Sequence, residues 1–134
     1  MTMVGFDNSR LFLSTKDGHN FIVEREFIFT RPAIVGGQII RVLAGSTTDG
    51  ASSPTFLWSK LPPFGVYFPA AVLHDAAYRG TTVPIIDDRG TADLLILEAC
   101  QALGVDEETS RVLYNAVALF GGTAWNKDRS SVTP

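Results

Sequence analysis

The spacing of apolar residues changes once along this chain, from alternation in the first third to helical spacing from about residue 55. Alternation places every second side chain on one face of a strand, whereas a helix brings together residues three and four positions apart. Strands followed by helices within 134 residues indicate one α+β domain. We predict an N-terminal antiparallel β-meander followed by about three packed α-helices, with one domain over residues 1–125 and a polar tail over residues 126–134.

The β-region is bounded by glycine-containing turns. Asp17-Gly18 predicts a tight hairpin, because glycine tolerates the positive φ that such a turn needs. Gly36-Gly37 predicts a second turn. The segment after Asp17-Gly18 is apolar at every second position, apart from Arg25 on the apolar face. The predicted strands cover residues 11–13, 21–29 and 38–43.

Helix-terminating residues delimit the second part of the chain. Pro69 suits the first position of a helix and Gly80 its end, which predicts a helix over residues 69–79. The segment 92–103 is apolar nearly all round, which is typical of a helix at the centre of a fold. We assign its N-cap to Thr91 and its end to Gly104.

A third helix is predicted from Asp106, whose side chain can accept hydrogen bonds from the first backbone N–H groups. Gly121-Gly122 is predicted to end this helix. Cys100, inside the central apolar helix, is interpreted as a core residue because buried thiols stay protonated. Apolar residues of the third helix recur at helical spacing and predict one buried stripe, formed by Val112, Leu113, Ala116, Val117 and Phe120.

Charge and cysteine content exclude several function classes. The net charge is −3 and no basic cluster is present, which argues against nucleic acid as a partner. One cysteine cannot form an internal disulfide, and two histidines with one cysteine are a poor donor set for zinc. No apolar run approaches the roughly 20 residues that a membrane span needs. The N-terminus lacks a basic start followed by an apolar stretch, so we expect synthesis in a cytoplasm.

His74, Tyr78 and Asp93 are the candidate catalytic residues. At 3.6 residues per turn, His74 and Tyr78 share one helical face. An imidazole accepts a proton from water when a carboxylate holds its other nitrogen, and Asp93 at the start of the next helix can do so. The structural alternative is a hydrogen-bonded helical histidine with an aspartate that stabilises the positive end of its helix.

Carboxylates in two polar motifs allow a second kind of chemistry. Asp49 and Asp75 can supply oxygen ligands to a hard cation such as calcium, with loop carbonyls completing the shell. Ser52 lies in the same TDGASSP motif as Asp49, and Arg89 opens the RGTAD motif that contains Asp93. The alternative for the first motif is an Asx-type turn without a ligand.

The order of these motifs resembles a family of uncharacterised proteins from bacteriophages and prophages. The matching motifs are TDGASSP, HDAAY, RGTAD and a terminal helix that ends at Phe120-Gly121, and together with their surroundings they cover residues 20–125. The resemblance implies a phage- or prophage-encoded protein that is made in the cytoplasm of a host bacterium and can be incorporated into the virion.

The HDAAY helix, followed by a helical aspartate, is also similar to secreted calcium-dependent phospholipases. This similarity implies that His74 is a general base toward water, that Asp75 binds calcium, and that Tyr78 and Asp93 orient the histidine. The chain departs from those enzymes because it cannot form their disulfides. It also has only Asp49-Gly50 as a loose substitute for their glycine-rich calcium loop.

Two functional hypotheses follow from these resemblances. The first is a virion- or lysis-associated hydrolase that acts on the host cell envelope through water activated by His74. It requires that water reach His74 and that a carboxylate lie within one water-bridged contact of the imidazole. The second is a non-enzymatic subunit of the virion, in the tail or baseplate, that contacts other virion proteins through the aromatic-rich segment 56–68.

Overall fold

The computed structural model describes residues 5–7, 11–16, 20–48 and 68–130, which form short antiparallel strands followed by helices. This order confirms the α+β class. The strands are β1 (Gly5–Phe6), β2 (Leu13–Thr15), β3 (Phe21–Val23), β4 (Phe27–Thr30), β5 (Ile39–Val42), β6 (Thr47–Thr48) and β7 (Thr82–Val83). The helices are α1 (Phe68–Arg79), α2 (Arg89–Ala102), α3 (Glu107–Phe120) and α4 (Gly122–Ser130), and a 3-10 turn covers Ala33–Val35.

The strands form two antiparallel sheets, with orders β1-β4-β5-β7 and β2-β3-β6. The predicted first hairpin corresponds to the β2–β3 pair, in which Leu13 lies opposite Val23. Its Asp17-Gly18 turn lies outside the described residues. The second turn is confirmed, because Gly36 and Gly37 have positive φ values of 103° and 65° between β4 and β5. β7 follows α1 and pairs with β5, so the helical half also contributes a strand.

The prediction of one continuous strand over residues 21–29 is wrong. The chain leaves the strand conformation over residues 24–26, and β3 and β4 belong to different sheets. Val23 and Phe27 nevertheless both face the core, because the alternation keeps its parity across the break. Arg25, the charged interruption, lies at the surface where the chain passes between the sheets.

The helices begin and end close to their predicted limits. Gly80 follows α1 with a φ of 73°, and Asp106 caps α3 by accepting a hydrogen bond from the Thr109 backbone N–H at 2.9 Å. The predicted N-cap of α2 is wrong. Asp88 is the N-cap, and the Thr91 backbone N–H donates to its carboxylate at 2.8 Å, so α2 begins three residues before the predicted start at residue 92.

The central position predicted for α2 is confirmed. Leu95, Ile96, Ala99 and Cys100 are fully buried, and α2 packs against both α1 and α3. Burial raises the pKa of the Cys100 thiol to about 11, which keeps it protonated as part of the core. In the part of the chain that the structure describes, no helix is long and apolar enough to cross a membrane.

The C-terminal part differs from its prediction in two respects. Val112 is 44 % exposed and does not belong to the buried stripe of α3, whereas Leu113 and Val117 do. The chain also continues from α3 directly into α4, a polar helix with little apolar periodicity. The interval predicted as a tail therefore begins inside α4, and residues 131–134 lie outside the described residues.

Candidate functional site

Two packed helices bring the three candidate catalytic residues together. α1 presents His74 and Tyr78 one turn apart, with ring centroids 4.3 Å from each other. α2 presents Asp93 from its second turn toward the same place. All three residues are buried, with exposed fractions of 1 % for His74, 1 % for Tyr78 and 3 % for Asp93. The side chains therefore meet inside the helical layer.

One carboxylate oxygen of Asp93 holds both aromatic side chains. His74 Nε2 lies 3.0 Å from Asp93 Oδ1, and the Tyr78 hydroxyl donates to the same oxygen at 2.5 Å. Because a carboxylate oxygen accepts hydrogen bonds, this contact places a proton on Nε2, and in that tautomer of the neutral imidazole Nδ1 is an acceptor. Burial and the Asp93 carboxylate raise the pKa of Tyr78 well above its usual range, which keeps the hydroxyl protonated as a donor.

The other ring nitrogen of His74 is the unusual atom of the site. Nδ1 is buried and has no hydrogen-bond partner among the described residues. Asp75 Oδ1 lies 4.0 Å from Nδ1, which is too far for a direct hydrogen bond. Buried polar atoms are nearly always hydrogen-bonded. Nδ1 is an exception on a ring whose Nε2 is bonded to Asp93, and this exception calls for a functional explanation.

Arg89 connects this cluster to the end of α3. Its Nε donates to the Tyr78 hydroxyl at 3.3 Å and lies 3.4 Å from Asp93 Oδ2. Its Nη2 donates to the backbone carbonyls of Val117, at 3.0 Å, and Ala118. These carbonyls belong to the last turn of a helix, where a cation is favoured, and the Val117 carbonyl also accepts from the Gly121 backbone N–H at 2.8 Å. Arg89 thus holds Asp93 and Tyr78 against α3.

Asp75 lies on the other side of His74, and its partner comes from the β-region. The Thr48 hydroxyl donates to Asp75 Oδ2 at 2.6 Å, and both residues are buried. Thr48 is a site residue that the sequence reasoning missed, although the TDGASSP motif includes it. The other predicted residues of that motif, Asp49 and Ser52, lie outside the described residues.

The predicted calcium ligands are represented in the structure by Asp75 alone among the described residues. Calcium takes six to eight oxygen ligands. Asp75 is the one predicted metal ligand within the described ranges, and there no group of three or more His, Cys, Asp or Glu side chains is placed to hold a metal ion. The residues seen here therefore do not by themselves fit a calcium site.

Gly121 and Gly122 pack directly against the site. A Cβ atom on Gly121 would lie 2.3 Å from the Tyr78 hydroxyl oxygen, and one on Gly122 would lie 3.3 Å from Arg89 Nη1. Trp125 of α4 packs edge-on against the Tyr78 ring, with centroids 5.2 Å apart. The sequence predicted this glycine pair as a helix stop, and the structure adds that it permits close approach of the α3–α4 junction to Tyr78.

Substitution of Gly121 by alanine is expected to lower the free energy of unfolding by about 1–3 kcal/mol, because the new methyl group displaces the Tyr78 hydroxyl from Asp93. Urea denaturation measures the loss. Gly90→Ala is the matched control, since a Cβ there lies at ordinary contact distance, 3.4 Å, from its nearest neighbour. Equal stability of Gly121→Ala and the native protein would contradict the packing described.

Comparison with known proteins gives one match. A family model described as a protein of unknown function (DUF1353) matches residues 21–117, which is more than half of the chain. The matched interval includes α1 and α2 and therefore His74, Asp75, Tyr78, Arg89 and Asp93. No curated protein and no solved structure matches the chain. The match supports the predicted resemblance to an uncharacterised family.

Proposed function

Because this chain belongs to the DUF1353 family, whose description states no activity, we propose a function from the chemistry of its own side chains. The proposal is a phage- or prophage-encoded hydrolase that acts on the host cell envelope. The observation that carries it is the asymmetry of His74, whose Nε2 is held by Asp93 while its Nδ1 has no partner among the described residues. That is the arrangement of a general base.

The proposed reaction is attack by water on the scissile bond of the substrate. The water oxygen bonds to the electrophilic atom while one water proton passes to His74 Nδ1. The imidazolium then gives this proton to the leaving group as the scissile bond breaks. Asp93 stabilises the imidazolium and fixes the ring, and Tyr78 and Arg89 hold Asp93 through the contacts described above.

The burial of His74 adds one requirement. The residue is 1 % exposed, so water and substrate reach Nδ1 only after the atoms that cover it move aside. Movement of a covering segment is a common part of hydrolase cycles, because it closes the reaction off from bulk water. The structure therefore does not meet the requirement that water reach His74, and the proposal needs a second form of the protein in which Nδ1 is accessible.

The same burial favours a second candidate, a non-enzymatic subunit of a phage virion. In that case the cluster only joins α1, α2 and α3, which Arg89 already links through Tyr78 and the α3 carbonyls. Exposed apolar side chains would then supply contacts to other virion proteins. Ile34 is 94 % exposed and Leu119 is 75 % exposed, and residues 56–67 of the aromatic-rich segment lie outside the described residues.

His74→Asn tests the hydrolase. The variant keeps a polar side chain of similar size but has no imidazole, so lysis of host cell envelopes is expected to slow by about 10²–10⁴-fold. His19→Asn, the same change at the chain's other histidine, is the control and is expected to keep full activity. Equal lysis by the native protein and a folded His74→Asn variant would contradict the hydrolase.

Mass spectrometry of purified particles decides the alternative, since a stoichiometric subunit must be present in them.

A further inference from the structure

The Thr48–Asp75 contact lies on the Nδ1 side of His74, opposite the contact with Asp93. Thr48 is fully buried, and its backbone is fixed by strand pairing with Phe21 in the β2-β3-β6 sheet. Its hydroxyl donates to Asp75 Oδ2 at 2.6 Å. Since Asp75 is on α1, this hydrogen bond fixes the carboxylate relative to a strand as well as to its own helix. The Asp75 side chain is therefore held from two elements.

The geometry between Asp75 and His74 suits one bridging water molecule. Asp75 Oδ1 lies 4.0 Å from His74 Nδ1. A water oxygen at about 2.8 Å from each atom would see them at an angle of about 90°, which is near the angle between the two O–H bonds of water. Both atoms are acceptors, so a single water can donate one hydrogen to each.

We infer that Thr48 is a positioning residue, which holds Asp75 so that Asp75 Oδ1 and His74 Nδ1 together bind the attacking water. This inference rests on the proposed hydrolase function and gives Asp75 a catalytic role that needs no metal ligand. One O–H bond of the water points at Nδ1 and breaks when the oxygen bonds to the substrate. The other hydrogen stays covalently attached to the water oxygen and keeps its hydrogen bond to Asp75 Oδ1. The lone pairs of the water oxygen therefore face the substrate.

The two hydrogen bonds have different roles in this scheme. Nδ1 removes the proton, whereas Oδ1 sets the direction of the water and does not change its own protonation. Without the Thr48 hydroxyl, Asp75 loses a buried hydrogen bond that fixes the direction of its carboxylate. The expected consequence is poor alignment of the water, with substrate binding unchanged.

Thr48→Val and Thr48→Ser test this role, because valine has the shape of threonine without the hydroxyl and serine keeps the hydroxyl. Thr48→Val is expected to lower kcat for envelope hydrolysis at least 10-fold with KM within about 2-fold, and Thr48→Ser is expected to restore most of kcat. Thr47→Val is the matched control on the same strand. Thr47 is exposed, its hydroxyl accepts from Arg79, and the change is expected to leave kcat unaltered.

A crystal structure of each full-length variant supplies a readout that does not depend on activity. The inference expects a water between His74 Nδ1 and Asp75 Oδ1 in the native protein and in Thr48→Ser, and its loss in Thr48→Val. Native kcat in Thr48→Val, with hydrolysis lost in His74→Asn, overturns the inference and leaves the hydrolase standing. A bridging water that depends on Thr48, in a protein without hydrolase activity, refutes the proposed function and with it the catalytic part of the inference. A native crystal without that water overturns the water site directly.

Discussion

Replacement of Asp93 by asparagine is expected to slow envelope hydrolysis by about 10²–10⁴-fold. The carboxylate accepts from His74 Nε2 at 3.0 Å and is the group that would stabilise the imidazolium formed when Nδ1 takes a proton. Asparagine offers an N–H group as readily as an oxygen, so the ring can bind it through an unprotonated Nε2. The proton then resides on Nδ1, and the imidazole can no longer act as a base toward water.

The measurement combines lysis rates with nitrogen NMR of the His74 ring. The native protein is expected to show a protonated Nε2 and an unprotonated Nδ1, and Asp93→Asn is expected to show the opposite tautomer. Asp87→Asn is the matched control, because Asp87 is exposed and precedes the same helix. Asp93→Asn also alters the hydrogen bond from Tyr78, which can lower stability. Urea denaturation measures that loss, so that a slower lysis rate can be distinguished from partial unfolding of the variant. A folded Asp93→Asn protein with native lysis would exclude the His74–Asp93 pair from catalysis.

The part of this site that follows from helical spacing could be predicted from the sequence. His74 and Tyr78 share a face because they are four residues apart, and that relation holds in any α-helix. Their meeting with Asp93 depends on how α1 packs against α2, and the sequence offered Asp93 only as a candidate. The Thr48–Asp75 hydrogen bond joins a strand to a helix across 27 residues, so no local pattern indicates it.

The fold shows the same division between local and long-range determinants. Alternation predicted that Val23 and Phe27 face the core, which is a property of each strand. It did not predict the break between them, because strand parity contains no information on which sheet a segment joins. The N-cap of α3 was predicted correctly at Asp106, whereas that of α2 was assigned to Thr91 instead of Asp88, although a local residue forms each cap. The sequence pattern did not predict α4, because a polar helix lacks apolar periodicity. Its position depends on contacts such as that of Trp125 with Tyr78.

Truncation of Glu98 to alanine is expected to have the largest effect on stability, a loss of about 3–5 kcal/mol in the free energy of unfolding. Arg31, which follows β4, donates from Nε and Nη2 to the two carboxylate oxygens of Glu98 on α2, each at 2.8 Å. The side chains of Arg31 and Glu98 are only 9 % and 8 % exposed. Removing one partner leaves a buried charge without its counter-ion, whereas removing both does not. Arg31→Met with Glu98→Leu is therefore expected to recover most of the stability that Glu98→Ala loses.

A surface pair provides the comparison that isolates burial as the cause. Arg41 and Glu26 are 2.6 Å apart but 47 % and 51 % exposed, so Glu26→Ala is expected to change the free energy of unfolding by less than about 1 kcal/mol. Urea denaturation of Glu98→Ala, Glu26→Ala and the double variant, at constant m-value, measures all three. Similar losses in the two single variants would mean that burial does not govern the energy of the Arg31–Glu98 pair. Because Glu98 pairs with Arg31 and α2 is otherwise unchanged, the double variant is also expected to keep native hydrolysis. A double variant that is stable but inactive would instead show that Arg31 and Glu98 set the position of α2, and with it Asp93, in the site.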